Sequence, residues 1–308
     1  MKKLSLYHDE IVDAIGPFKL IESLRESSSR TSVYKLKANE GYYYLKLFSR
    51  RARFEPEIFA YNSWNKIFPE FTPKLIKVLD GKSEFGLIMT EIEGTILREA
   101  KMSKEEEYAS YRKAGELTRL LQDSQIGEYF GRPSIKGNPI EDSFIDAYSY
   151  LEESLNELED DLIKEALMSK TNADLLEAAR AKLHLFTGEV PVPVSWDSTP
   201  GNWIVDQNNI FKGMIDFENM RWGIRTDSFG ILYERYFLDD MNREKAFFEG
   251  YGLDYLENEK EKITFALIKI ALSDLYYGSK FNNDRSLEMG NRLVKYLRNT
   301  AIKSINSI

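Results

Sequence analysis

Asp197-Ser198-Thr199-Pro200-Gly201-Asn202 and, further on, Ile215-Asp216-Phe217-Glu218 concentrate residue types that handle metal ions and phosphate. The residues between them read as a β-hairpin. Trp203-Ile204-Val205 and Ile210-Phe211-Lys212-Gly213-Met214 are apolar runs, and Gln207-Asn208-Asn209 is a turn in which asparagine tolerates positive φ. Folding back brings Asn202, entering the first strand, beside Asp216, leaving the second. An amide oxygen and a carboxylate at one open end make a hard-oxygen site suited to Mg²⁺. Asp197, one loop upstream, can face the same spot as a base. The three are laid out as a phosphoryl-transfer centre.

A second group of residues lies near the start of the chain. In Tyr42-Tyr43-Tyr44-Leu45-Lys46-Leu47-Phe48, strand alternation puts Lys46 on one face with Tyr42, Tyr44 and Phe48. A lysine on that apolar face either snorkels to water from a strand end or points into a cleft toward phosphate oxygens. Glu57, inside the next helical stretch, can hold that ammonium. Glu55 competes for the role, and an ordinary solvated carboxylate near a helix N-terminus is the third reading. Ser27, Ser28 and Ser29 lie between the first two strand candidates. Small residues there allow close backbone approach to phosphate, although a polar hairpin loop has the same composition.

The elements that must position these groups divide in two. Strands are expected at Phe18–Leu24, Ser32–Ala38, Tyr42–Phe48, Lys74–Val78 and Phe85–Glu91, with one helix at Phe54–Phe68. Asn39-Glu40-Gly41 joins the second strand to the third as a tight turn. From about residue 100 the pattern is helical. Helices are expected at Lys104–Gln122, Glu141–Ser169, Thr171–Phe186, Ser228–Tyr236, Arg243–Tyr251, Glu259–Tyr277 and Arg285–Ile302. A Thr-Asn-Ala-Asp signal would cap the third of these at Thr171. Glu91-Ile92-Glu93-Gly94-Thr95 is the expected boundary. The fold class expected is therefore α+β: an N-lobe of five antiparallel strands plus one helix over residues 1–92, and a mainly helical C-lobe with a catalytic hairpin over residues 93–308.

Composition narrows the chemistry. The 308 residues are 43% hydrophobic and 30% charged, ordinary for a globular protein, and the net charge of -8 disfavours a nucleic-acid partner. That negative balance suits cationic small ligands and also serves solubility. With no cysteine, thiol nucleophiles and Cys-ligated zinc are excluded. Only His8 and His184 are present, and His184 sits in a helical pattern as a structural residue, so a carboxylate is the expected general base. No run approaches the ~20 apolar residues of a membrane span, and the interrupted N-terminus forms no signal-peptide core. The expectation is a cytoplasmic protein with no membrane partner.

The order of small-residue loop, strand lysine, helix glutamate, Asp-x4-Asn loop, hairpin and second Asp resembles the aminoglycoside phosphotransferase family, small-molecule kinases that share the protein-kinase-like fold. The resemblance covers nearly the whole chain and is most specific from 194 to 230. The family loop commonly reads His-Gly-Asp-x-x-x-x-Asn, followed by Ile-Asp-Phe/Trp-Glu. Here Ser195 stands for the histidine and Trp196 for the glycine. A further family aspartate matches Asp227. The resemblance implies transfer of the γ-phosphoryl group of ATP or GTP to a hydroxyl of a small molecule, with Mg²⁺. Asp197 would be the base, and Asn202 and Asp216 would hold the metal. Lys46, steadied by Glu57, would contact phosphates that Ser27, Ser28 and Ser29 cover, and backbone near Glu91 and Ile92 would meet the nucleobase. Ser195, Glu218 and Asp227 are structural or acceptor-side residues in this scheme, Asp227 bracing the loop.

The acidic stretch Glu141, Asp142, Asp146, Glu152, Glu153, Glu157, Glu159, Asp160 and Asp161 is either a solvated helix face or a site for a cationic acceptor such as an aminoglycoside. An antibiotic-resistance kinase is the leading reading. A metabolite kinase of choline, homoserine or sugar type and a nucleotide-binding pseudokinase are the alternatives. A monomer or dimer is expected.

Overall fold

A computed structural model describes residues 2–25, 31–81 and 84–300. Its strands are β1 (Lys19–Arg25), β2 (Ser32–Ala38), β3 (Gly41–Phe48), β4 (Leu75–Asp80), β5 (Phe85–Thr90), β6 (Thr95–Ile96), β7 (Val192–Ser195), β8 (Trp203–Val205), β9 (Phe211–Met214) and β10 (Met220–Gly223). The α-helices are α1 (Lys2–Leu6), α2 (His8–Ile15), α3 (Arg51–Phe59), α4 (Lys104–Ser124), α5 (Ala147–Lys164), α6 (Lys170–Arg180), α7 (Gly230–Leu232), α8 (Met241–Tyr251), α9 (Leu253–Asn258), α10 (Lys260–Phe281) and α11 (Asp284–Thr300). Two compact units result. One gathers residues 1–102, 132–140 and 200–220, and the other gathers 103–131, 141–199 and 221–308.

The first unit is built on an antiparallel sheet in the order β1-β2-β3-β5-β4. Asn39 and Glu40 close the β2–β3 turn, with Ala38 opposite Gly41. Alternation sorts the faces of β3. Leu45 and Leu47 join Ile11 of α2, Leu36 and Ile88 in one apolar core, and Lys46 is sent to the other face. Sequence spacing overestimates α3. The α-helix ends at Phe59, and a π turn (Ala60–Trp64) and a 3₁₀ turn (Asn65–Ile67) complete the expected stretch to Phe68. Pro56 lies within α3 and has no N–H for the carbonyl of Ala52 one turn back. Arg132 Nη1 donates to that carbonyl at 3.1 Å instead.

The expected hairpin is present as β8 and β9, in register with Trp203 opposite Met214. Its turn is longer than three residues. The Asp206 carboxylate accepts the Asn208 and Ile210 amides at 2.8 and 3.0 Å, and Asn209 takes φ 62°. At the other end Ile215 N–H donates to the Asn202 carbonyl at 2.9 Å, which seats Asn202 beside the start of Ile215-Asp216. Beyond expectation, β6 pairs with β8, so the hairpin becomes a three-stranded sheet.

The second unit is helical, and three expected helices are corrected. The stretch 141–169 is helical only from Ala147. Phe144 is still bridged to Phe130, and Asp146 caps α5 by accepting the Ser149 amide at 2.9 Å. That helix stops at Lys164 because Ala166 turns left-handed, φ 55°, and the Leu167 amide closes back onto Leu162. Ser169, not Thr171, caps α6, which ends at Arg180 before a separate 3₁₀ turn at Leu183–Phe186. Residues 228–236 form a 3₁₀ turn, one α-turn and a π turn rather than one helix. His184 is exposed on its 3₁₀ turn, with Nδ1 2.8 Å from the Ala181 carbonyl.

Helices α4 and α8 approach through reciprocal glycines. A Cβ on Gly115 would lie 2.0 Å from the Phe247 carbonyl oxygen, and one on Gly250 would lie 1.9 Å from that of Arg112. Both obstacles are backbone, so a methyl forces the helices apart. Gly115→Ala is expected to lose on the order of 3 kcal/mol, the upper part of the overpacking range, in urea denaturation. A loss indistinguishable from zero would show that the helices can separate freely.

Candidate active site

Lys46 is the centre of the site in the first unit. Its Nζ donates to Glu57 Oε2 at 2.6 Å and to Asp216 Oδ1 at 3.0 Å, and Glu218 Oε2 is 3.7 Å away. Glu57 is 0% exposed and Lys46 5%. The competing Glu55 pairs instead with Arg51 at the helix surface. Alternation on β3 and the single turn of α3 between Arg53 and Glu57 account for the geometry. Both Arg53 and Glu57 lie on one helix face.

Two residues that sequence reading did not single out complete the network. Arg53 Nη1 reaches Glu218 Oε1 at 2.6 Å, and Thr31 Oγ1 donates to Glu218 Oε2 at 2.7 Å. Thr31's own carbonyl accepts Arg25 Nε at 2.7 Å. The i, i+4 spacing of Arg53 and Glu57 was the available signal for Arg53. Thr31 carried none beyond its place at the end of the polar segment. Phe217 turns the other way and packs edge-on against Tyr61, ring centroids 5.5 Å apart. Asp216 itself adopts φ 66°, a left-handed conformation that aspartate tolerates at a cost on the order of 1 kcal/mol.

These charges perturb one another. Burial alone would lower the Lys46 pKa, but Asp216, Glu57 and Glu218 outweigh it and hold the ammonium well above its ordinary range. Burial pushes Glu57 up to about 8, with Asp216 and Glu218 adding to the rise and Lys46 opposing it. Asp216 is held below the usual carboxylate range because Lys46, Arg25 and Arg53 overcome the opposing effect of burial.

An adjoining cavity of about 340 Å³ is lined by Leu24, Val33, Tyr44, Lys46, Met89 and Ile92 among others, with Asp216 on its wall. Its lining is largely apolar, and Lys46, Asp216 and Glu99 are its charged members. Glu91 lies beside it. Its amide donates to the Tyr42 carbonyl at 3.1 Å and its carboxylate accepts Lys35 at 2.6 Å. The Asp216 carboxylate and the Asn202 amide are hard oxygen donors, and Glu57 Oε1 is buried without a hydrogen-bond partner, so the donor set fits a divalent ion. Ser27, Ser28 and Ser29 lie outside the described residues.

The second unit holds Ser195, Asp197 and Asp227. Ser195 ends β7, 7% exposed, and Asp197 follows in a half-buried turn. Trp196 between them lies flat beneath the Arg221 guanidinium, 3.7 Å from carbon to ring centroid. Asp227 Oδ2 accepts the Ile224 amide at 3.3 Å, and its Oδ1 is 3.8 Å from Lys269 Nζ. It braces its own segment. Asp227, Lys269, Trp196 and Thr226 border a small cavity of about 80 Å³. On α5, burial and then Glu153, Asp161, Glu141 and Asp142 raise the Glu157 pKa, so the acidic stretch concentrates negative potential. No described helix is long and apolar enough to cross a membrane.

The fold is shared with solved aminoglycoside phosphotransferases. The chain superposes on the apo form of a thermostable mutant of aminoglycoside phosphotransferase APH(4)-Ia with a TM-score of 0.73 and 15% identity, covering 95% of this chain and 99% of that one. The GDP complex of aminoglycoside 2'-phosphotransferase-IIIa gives 0.68 at 14% identity, covering 96% and 97%. The gentamicin complex of APH(2'')-IIa gives 0.62 at 17%, covering 94% and 95%. These are likenesses of fold, and the fold is the protein-kinase-like one. No curated protein matches the sequence. The model of the phosphotransferase enzyme family matches residues 21–262, and the chain belongs to that family. It is a phosphotransferase with an alcohol group as acceptor.

The buried Glu57 gives the site a measurable pH signature. Its pKa is raised in the folded state from 4.5 to about 8. Its contribution to stability is therefore fully present below the unfolded value and is lost as pH rises through about 8. The melting temperature of the parent protein minus that of Glu57→Gln should decrease steadily from pH 5 to pH 8. A difference that stays flat or grows would contradict the raised pKa.

Proposed function

We propose that this chain moves the γ-phosphoryl group of ATP or GTP to a hydroxyl of a cationic small molecule of aminoglycoside type. The observation that carries this reading is the Lys46 ammonium between Glu57 and Asp216 at the wall of the 340 Å³ cavity. A largely apolar cleft with the Lys46 ammonium on its wall suits a nucleobase and its phosphates. Residues 1–92 are the nucleotide-binding lobe in this reading, and residues 93–308 the catalytic and acceptor-binding lobe.

Each residue then has a role. The Ile92 wall and the backbone beside Glu91 hold the base. Lys46 contacts phosphate oxygens, oriented by Glu57, and Ser27, Ser28 and Ser29 cover them. Asn202 and Asp216 would hold Mg²⁺, which when bound neutralises phosphate charge. Asp197 takes or orients the proton of the acceptor hydroxyl. Ser195 supports its loop from the end of β7. Glu218, bonded to Thr31 and Arg53, acts as a brace for the phosphate side of the cleft. Asp227 holds the segment after β10.

A cationic acceptor is favoured by the negative potential around Glu157. Solved complexes of similar fold agree in kind. A thermostable mutant of APH(4)-Ia is in a ternary complex with AMP-PNP and hygromycin B, and APH(2'')-IIa is in a complex with gentamicin.

The deciding experiment incubates the protein with ATP or GTP, Mg²⁺ and a panel of hydroxylated amines, neutral sugars and amino alcohols, read by mass gain of one phosphate. Phosphorylation confined to neutral acceptors would overturn the cationic assignment, and no transfer to any acceptor would count against the enzyme reading. Asp197→Ala should lower turnover by roughly 10²–10⁴-fold while nucleotide still binds. Retained turnover would sink the base assignment. In Asp216→Ala, the nucleotide-induced thermal shift should no longer depend on Mg²⁺, and an undiminished dependence would remove Asp216 from the metal site.

A further inference from the structure

Glu57, Asp216 and Glu218 each offer one carboxylate oxygen, and these oxygens lie within 4.8 Å of one another. A divalent ion with oxygen ligands at about 2.1–2.5 Å spans oxygens up to roughly 4–5 Å apart. The three carboxylates therefore already have metal-site spacing. A cation is also present among them, the Lys46 ammonium, at 2.6, 3.0 and 3.7 Å from the three side chains. Independently of the cluster, Glu57 Oε1 is fully buried and has no hydrogen-bond partner. Such an orphaned oxygen is costly unless a cation or donor can reach it. Glu218 is held in place from outside by Thr31 and Arg53, so its position does not depend on Lys46 alone.

We propose that Lys46 occupies, with its own ammonium, a divalent-cation site formed by Glu57, Asp216 and Glu218, and thereby keeps free metal out of the empty cleft. A single charge at these distances from three carboxylates repels a second cation at the same spot. Phosphates that attract the ammonium release Asp216, so metal and triphosphate enter together rather than in sequence. This second step rests on the nucleotide reading above, whereas the latent site does not.

The test uses nucleotide-free protein and Mn²⁺, with free metal followed by electron paramagnetic resonance. Lys46→Ala should bind one Mn²⁺ at least about tenfold more tightly than the parent protein. Lys46→Arg keeps the charge and should bind no better than the parent. Lys46→Ala combined with Glu218→Gln should lose the gain. Equal Mn²⁺ affinity in Lys46→Ala and parent overturns the proposal, as does a gain that survives Glu218→Gln or that appears equally in Lys46→Arg. Circular dichroism checks folding, and Lys46→Met replaces the alanine variant if that variant is unfolded. None of these readouts involves turnover, so an inactive protein that shows the metal pattern would reject the phosphotransfer reading and keep the latent site.

Discussion

A buried ammonium must have counter-charges, and this constraint organises the first unit. Lys46 is held on β3, Glu57 on α3, and Asp216 and Glu218 on the segment leaving the hairpin. Separate pieces of chain are thus tied to one nitrogen. Such a cluster adds little net stability, because desolvation opposes the attraction, but it penalises any arrangement in which a partner is missing. The same cluster makes the cleft polar at one end. Most of the remaining cavity wall, Leu24, Val33, Met89 and Ile92 among it, is apolar.

Much of this was legible in the sequence, and the reasons are local. Period-two alternation put Lys46 on the face opposite Leu45 and Leu47, and the structure agrees. Helical spacing put a carboxylate within reach, although choosing Glu57 over Glu55 required knowing which way α3 rotates. The hairpin followed from two apolar runs around an asparagine-rich turn, down to the left-handed Asn209. Less legible were contacts between segments far apart in the chain. Strand β6 has two residues, too few for a pattern, and it exists only because β8 is there to pair with it. Thr31 and Arg53 look like ordinary surface polar residues until Glu218 arrives to meet them. The end of α5 was invisible because an alanine, not a glycine, takes the left-handed position.

The second unit shows how a departure from a family pattern can be accommodated. Ser195 and Trp196 stand where histidine and glycine are usual. Trp196 brings a broad aromatic face that a glycine lacks, and Arg221 from β10 covers it. Arg221 lies within β10, which pairs with β7, so the stack ties the residue after β7 to that neighbouring strand. The Asp227–Lys269 contact fastens the following segment to α10. The residue preceding Asp197 is thus fastened to β10 by stacking, and the segment after β10 to α10 by an ion pair.

The first unit is assembled from three stretches of chain, and the last of them contains Asn202, Asp216 and Glu218. Its sheet is complete by Thr90, yet β6 has no partner until β8 is available. During synthesis, the early sheet must therefore wait for more than a hundred further residues while Lys46 lacks one of its two closest counter-charges. Long-range closures of this kind slow folding and leave an incomplete intermediate exposed. Asp216 is thus the residue whose arrival supplies the second close carboxylate to Lys46. A chain that stopped before the hairpin would have a sheet and a buried lysine, but neither Asp216 nor Glu218 to meet it.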